Sequence, residues 1–532
     1  MRATFAVFFA LFALTALYGA AISFDPPAAT ARLAYFAIGV ILYFVIRATP
    51  ESWLPVLPAT GVVLAIYFLL SNDWLLRLGK LPALDPLLQL LAQRPGLFPA
   101  LPVNTNTIGG ILAMVMPMQA IAALRARGAL RTAAVVAFVV SGIALLLTLS
   151  RGALLALSAA ALCAVICAIL RRAPERLRAQ VDRILPFLAA LGVALMLGGG
   201  IVMAAVGTRS ELADVDLLLR DYWLTGIGFD GFALAYSTYA LLTHVPFLQH
   251  AHNLYANIWL SQGLLGLAAF VGMTFAAWVV ALRARLDCAG HWQLGGFLGL
   301  IVVLAHGMID DPFHGDVVFL PALFVPFALL LRTAAAPASL AARVREIARA
   351  SAQVFGGLAA LAAVAWLFSA ARSGVYANIG ALRQAQIELG LYRNGMNERW
   401  GLPDATRLSL RGPMNEPMRY YALALALNPA NTSANRRLGQ IELTFGLYDS
   451  AFKHLAAAYQ GDVSNHTTRL LAGEAFAVSG DDAQRLENAA EIWRAVPDVR
   501  HRLSGRLAWY ASFVNDNIRA SRMEAALALT IR

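Results

Sequence analysis

The chain has 532 residues, of which 59% are hydrophobic and only 14% charged, with a mean hydropathy of +0.64. An ordinary soluble domain carries about 25% charged residues, so most of this chain belongs in lipid. The net charge of +11 fits basic residues gathered in cytoplasmic loops and gives no reason to expect a nucleic-acid partner.

Spanning a bilayer takes about 20 apolar residues. Such windows recur near 3–23, 31–47, 53–71, 104–123, 132–150, 152–170, 184–206, 253–281, 293–311, 316–333 and 353–372. The fold class predicted is all-α: a polytopic transmembrane bundle of about eleven spans over 1–372, with a helical domain over 373–532. The first window follows a single Arg2, lacks a cleavage site and runs straight into a second, so it reads as a helix and not as a signal peptide. Cys163 and Cys167 lie one turn apart in an apolar window and read as packing residues. With Cys288 they suggest neither a disulfide framework nor a zinc site.

Arginines set the orientation. Arg125, Arg127 and Arg131 follow the fourth window; Arg171, Arg172, Arg176, Arg178 and Arg183 follow the sixth. Arg283 and Arg285 follow the eighth; Arg332, Arg343, Arg345 and Arg349 follow the tenth. Alternating spans put all of these on one face, which the positive-inside rule makes cytoplasmic. The N-terminus is then inside. The tail and the polar turns at 72–103, 150–152, 207–252 and 306–316 lie on the opposite, outer face.

Five stretches carry chemistry on that outer side. In PVNTNTIGGILAMVMP, Asn104 and Asn106 open a span, where unpaired helix N–H groups favour an anion and simple capping is the plainer alternative. In TLSRGALLAL, Arg151 interrupts apolar sequence. It is either a snorkelling turn residue or a guanidinium able to hold two phosphate oxygens in one plane. GTRSELADVDLLLRDYWLTGIGFDGF holds Arg209, Arg220 and glycines at 226, 228 and 231 that let the chain turn back toward the membrane. Its GxGxxG pattern follows no strand, which argues against a dinucleotide site. In QHAHNLYANIWLSQGLLG, His250, His252 and Asn253 sit at the lip of a span. A neutral histidine there suits a general base as well as a helix cap. In HGMIDDPFHGD, His306 and Asp310 are four apart and share one helix face. No metal-ligand spacing such as HExxH appears, so no metal or cofactor is expected.

The tail reads as a tetratricopeptide-like stack. Gly439 and Gly473 are 34 residues apart, as are Gly446 and Gly480, the period of that repeat class. Ala422, Ala424 and Ala451 are expected between paired helices. The stack would offer a surface for a protein partner or act as a cap separable from the chemistry.

Taken in order, these strings resemble the O-antigen ligase and O-antigen polymerase family of bacterial membrane glycosyltransferases, most specifically in SRG and HAHNLYANIWLSQGLLG. The match covers about residues 100–330. Trp223 stands where the family has a proline, and Leu212 where it has an aromatic residue. The distance to Gly226 favours Arg209 over Arg220. The resemblance implies an oligosaccharide or polysaccharide donor on undecaprenyl diphosphate at the outer leaflet, transferred with inversion and without metal. His252 would be the base and Arg151 and Arg209 the diphosphate ligands. Arg220, His250, Asn253, Asn104, Asn106, His306 and Asp310 would contact substrate. The acceptor is a glycan, a lipid or a protein hydroxyl. The competing readings are a polysaccharide transporter and an assembly scaffold.

Overall fold

The computed structural model describes residues 1–93, 104–172, 174, 215–243, 248–283, 291–332, 340–391, 403–480 and 482–531. The described residues fold into helices and contain no strand. The expected window at 184–206, Arg209 and Cys288 lie outside them.

Among the described residues, eight helices are long and apolar enough to cross a bilayer. They are α1 (Arg2–Ile22), α2 (Pro26–Ala48), α3 (Val56–Ser71, entered through the turn Glu51–Trp53), α4 (Thr105–Arg125), α5 (Gly128–Thr148), α6 (Arg151–Arg172), α7 (Leu254–Arg283) and, after α8 (His291–His306), α9 (Leu340–Trp366). The 21 residues of α1 rise about 32 Å, the thickness of a hydrocarbon core. Two expected spans are shorter. α8 ends at His306, and 316–333 divides into the 3₁₀ segment Val317–Leu323 and the helix Phe324–Leu330. The last span starts earlier than expected, at Leu340. A separate helix, α10 (Ser369–Leu389), crosses the anticipated domain boundary.

The centre of the bundle is α4, which packs on α3, α5, α6 and α8. Small residues let it do so. The Gly109 backbone lies against Ser150 and Thr148, and Gly110 lies against the His306 ring. Between apolar helices in lipid, close packing of this kind supplies association that the hydrophobic effect cannot. On the other side α1 packs along α7, where Thr15 donates to Gln262 Oε1 at 2.9 Å.

In α7 the helix is broken at Gly263 (φ 74°, ψ −179°). The 223–230 loop fills the break: Leu264 N donates to Leu224 O at 3.1 Å, and Ile227 N donates to Leu260 O at 2.6 Å. Gly228 (φ +90°) brings the loop so close to α1 that an added Cβ would meet Gly19 O at 2.8 Å. This is the return toward the membrane helices that the glycines suggested.

The C-terminal region contains α11 (Asn415–Leu427), then α12 (Thr432–Thr444) with α13 (Tyr448–Gly461), α14 (His466–Val478) with α15 (Ala483–Arg494), and finally α16 (Asn517–Leu529). The glycines 34 residues apart occupy equivalent places. Gly439 packs against Leu455 and Gly473 against Trp493, while Gly446 and Gly480 take positive φ in the two turns. Asn431 and Asn465 cap α12 and α14 alike, each accepting a backbone N–H at 2.9 Å. Ala424 and Ala451 are buried as expected, but Ala422 is exposed. It follows Tyr421 by one position, and Tyr421 takes the inward face.

Candidate active site

Four of the five polar stretches converge at one end of the bundle. Chain geometry dictates this: α4, α6 and α7 start there and α8 ends there. His306, the last residue of α8, lies between α4 and α6. A Cβ on Gly110 would sit 2.6 Å from its Nδ1, and one on Gly152 would sit 2.8 Å from its Cδ2. Both ring nitrogens are buried without a hydrogen-bond partner among the described residues. The expected pairing along one helix face does not form, because α8 stops at His306 and Asp310 lies beyond it in a turn.

Asp310 orients a different histidine. Its Oδ1 is 2.9 Å from His252 Nδ1 and accepts the Asp311 backbone N–H at 2.8 Å, while Oδ2 accepts from Asn106 Nδ2 at 2.7 Å. Burial alone would raise the carboxyl's pKa, but the hydrogen bond and charge of His252 outweigh it and hold the group below the usual carboxylate range. An ionised Asp310 can only accept, so His252 in its neutral form carries its proton on Nδ1 and presents the lone pair of Nε2. That is the tautomer a general base needs. His252 also has a left-handed backbone, φ 47°, a conformation that costs a side-chain-bearing residue of order 1 kcal/mol and gathers at functional sites.

His250 is less suited to be the base. Its Nδ1 accepts the His252 backbone N–H at 3.2 Å. Burial, with the neighbouring His252, pushes its pKa down to about 4. Asn253 is a structural link: it accepts from Ala256 N at 3.0 Å and donates to Met308 O at 3.1 Å, alongside Leu254 N to Gly307 O at 2.8 Å. Asn104 caps α4, accepting from Asn106 N at 3.0 Å and Thr107 N at 3.3 Å.

Arg151 begins α6 beside Gly152 and is exposed. No ion pair or hydrogen bond from its guanidinium occurs among the described residues. Arg220 is already engaged by two carboxylates, Asp216 at 2.9 Å and Asp462 at 3.0 Å, and so is tied to the C-terminal helices.

Three further residues support the site. Arg32 of α2 clasps Asp230 at 2.6 Å and donates to His314 O, joining the glycine loop to the 307–316 turn. A lone arginine in an apolar window was the available signal, the same one that marked Arg151. Asp311 and Asn257 form the second support. Asn257 Nδ2 donates to Asp311 Oδ2 at 2.6 Å, and Asn257 Oδ1 accepts the Ala251 N–H between the two histidines at 2.8 Å. Burial raises the Asp311 pKa to about 6 against the pull of these bonds.

His250, His252 and Asp310 offer ligand atoms within 4.8 Å of one another. A catalytic zinc site uses three protein ligands, but here His252 Nδ1 and Asp310 already bond each other and His250 Nδ1 is taken by a backbone N–H. A chelator therefore belongs in any activity test.

Residues 136–271 match the family model described as O-Antigen ligase. The matched stretch contains Arg151, the glycine loop, both histidines and the start of α7. It stops before Asp310 and starts after Asn106. The chain is also 32% identical over 72 residues to the BBSome complex member BBS4 of Bos taurus, a likeness covering 14% of this chain and 14% of that protein. No solved structure matches.

Proposed function

Because the chain is a multi-pass membrane protein of O-antigen ligase type, we propose that it transfers a glycan from undecaprenyl diphosphate to an acceptor hydroxyl at the outer face of the bacterial cytoplasmic membrane. The observation that carries the reading is the His252–Asp310–Asn106 chain of hydrogen bonds, at the end of the bundle where Arg151, unpaired among the described residues, begins α6. The acceptor O–H gives its proton to His252 Nε2 as its oxygen bonds to the anomeric carbon from the face opposite the diphosphate. The glycosidic C–O bond breaks, and the diphosphate leaves with the electron pair. Arg151 and Arg209 meet the charge that grows on it. The leaving group is weakly basic, so no acid catalyst is required, and direct displacement inverts the anomeric centre.

The arginine-rich loops support an arrangement with the site and C-terminal helices outside. Acceptors of the glycan, lipid and protein classes all fit the chemistry. In the test, purified protein in lipid receives an undecaprenyl-diphosphate oligosaccharide, an acceptor from each class and EDTA, and release of undecaprenyl diphosphate is followed. Release by the wild type that is lost in His252→Ala is expected. Equal release by both would remove His252 from the mechanism, and restoration by added zinc or magnesium would remove the metal-free reading.

A further inference from the structure

The C-terminal helices grip the 215–243 segment through groups that water does not reach. Asp221 is fully buried, with Arg436 NH2 at 2.5 Å on one oxygen and Arg437 Nε at 2.7 Å on the other. Arg437 also donates to Tyr222 Oη at 2.8 Å and stacks 3.6 Å from the centre of the Tyr239 ring. Tyr239 donates to Glu388 at 3.3 Å, Glu388 pairs with Arg407 at 2.7 Å, and Arg407 with Asp404 at 3.1 Å. Arg506 then pairs with both Asp404 and Glu474. Four carboxylates and four guanidiniums thus run inward from the segment in one buried, charge-balanced series.

α10 adds uncharged ties. Asn378 donates to Asp221 O at 2.8 Å and accepts from Thr225 N at 3.1 Å, and Trp223 Nε1 donates to Gly374 O at 3.2 Å. At the segment's far end Thr467 donates to Ala240 O at 2.6 Å. Both ends of 221–240 are therefore held by the C-terminal helices, while its middle plugs the break in α7 and reaches Arg32 through Asp230.

Buried ion pairs contribute little net stability compared with apolar packing, but they are satisfied in one register only. The helix Val215–Asp221 has seven residues, too few to hold itself in water. We propose that the C-terminal helices are a clamp that fixes the 215–243 segment over the candidate site, with Asp221, Arg436 and Arg437 as the positioning residues of the joint. The expected separable cap is thereby replaced by a part that shapes the site's surroundings. This assignment stands on contacts and needs no view of the reaction.

The test is hydrogen–deuterium exchange on the full chain in lipid nanodiscs, which requires no substrate. In Asp221→Asn, close in shape but uncharged, and in Arg437→Met, amides of 222–240 are expected to exchange at least ten-fold faster, with those of α4 unchanged. Arg437→Lys, which keeps a cation beside Asp221, regains most of the protection. Arg506→Met, a change of the same kind at the far end of the series, leaves 222–240 protected. Unchanged exchange over 222–240 in Asp221→Asn and Arg437→Met overturns the clamp. Equal release of the segment by Arg506→Met, or no recovery in the lysine variant, overturns the joint as its seat. Should Arg437→Met fail to fold, Asp221→Asn decides alone.

Discussion

In the C-terminal helices each buried guanidinium of the series, from Arg436 to Arg506, meets a carboxylate, whereas at the end of the bundle Arg151 meets none among the described residues. Both regions spend arginine where arginine is costly to place. In the first the charge is answered from within the chain and the product is a fixed shape. In the second it stands open, at the end of the bundle where His252 meets Asp310.

That contrast can be broken by mutation, and the largest effect belongs to the open region. His252→Ala is expected to lower donor turnover by about 10²–10⁴-fold, the range for a lost general base, with thermal stability in detergent little changed. Asp310→Asn should lose at least about ten-fold, because an amide no longer fixes the tautomer. A steady-state assay with and without acceptor separates the two from simple loss of donor binding.

On the paired side, Arg407→Met leaves Glu388 and Asp404 buried without their shared cation and is expected to cost about 3–5 kcal/mol, read as a lowered melting temperature of the C-terminal helices. Arg151→Lys should sharpen the comparison from the open side. A point charge does not reproduce a planar fork, so transfer falls while insertion and stability hold. Near-normal turnover would mean that Arg151 supplies diffuse charge only.

A smaller effect is expected with pH. The buried Asp311 titrates in the folded chain near 6, above its unfolded value of about 3.9. The native state therefore binds the proton more tightly, and stability falls as pH rises from about 4 to 6 and levels off above. The full swing is ~2–3 kcal/mol by linkage and should vanish in Asp311→Asn. Least of all, Arg500→Ala removes an exposed pair with Glu524. It should change stability by no more than a few tenths of a kcal/mol, which a denaturation series run beside Arg407→Met would establish.

The membrane helices were legible because a bilayer demands long apolar windows, and each window within the described residues does hold a helix. The convergence of NTN, SRG, HAHN and IDD was legible as well: alternating spans put their turns on one side. What could not be read was pairing across distance. Asp310 looked like the partner of His306, four positions away, because sequence shows neighbours along a helix and not where the helix ends. Asp221 and Arg437 are more than two hundred residues apart, and no periodicity links them. Of the two carboxylates that meet Arg220, Asp216 is four positions away and legible along the helix, whereas Asp462 is brought to it only by the fold. The glycines at 439, 446, 473 and 480 did announce two equivalent helix pairs, since each has a task that other residues would perform badly.

The broken helix α7 bears on how the protein is made. Gly263 lies nine residues into α7, about 13 Å along it, and there the backbone bonds are completed by Leu224 and Ile227 from a segment that precedes α7 in the chain. In hydrocarbon each unsatisfied backbone group costs several kcal/mol. During synthesis α7 therefore cannot settle in its broken form before the loop is in place. It either enters the bilayer straight and bends later, or waits for the loop to dock before lipid closes around it. Biogenesis of this bundle is then a question of order, in which the loop emerges from the ribosome first and the helix it completes emerges second.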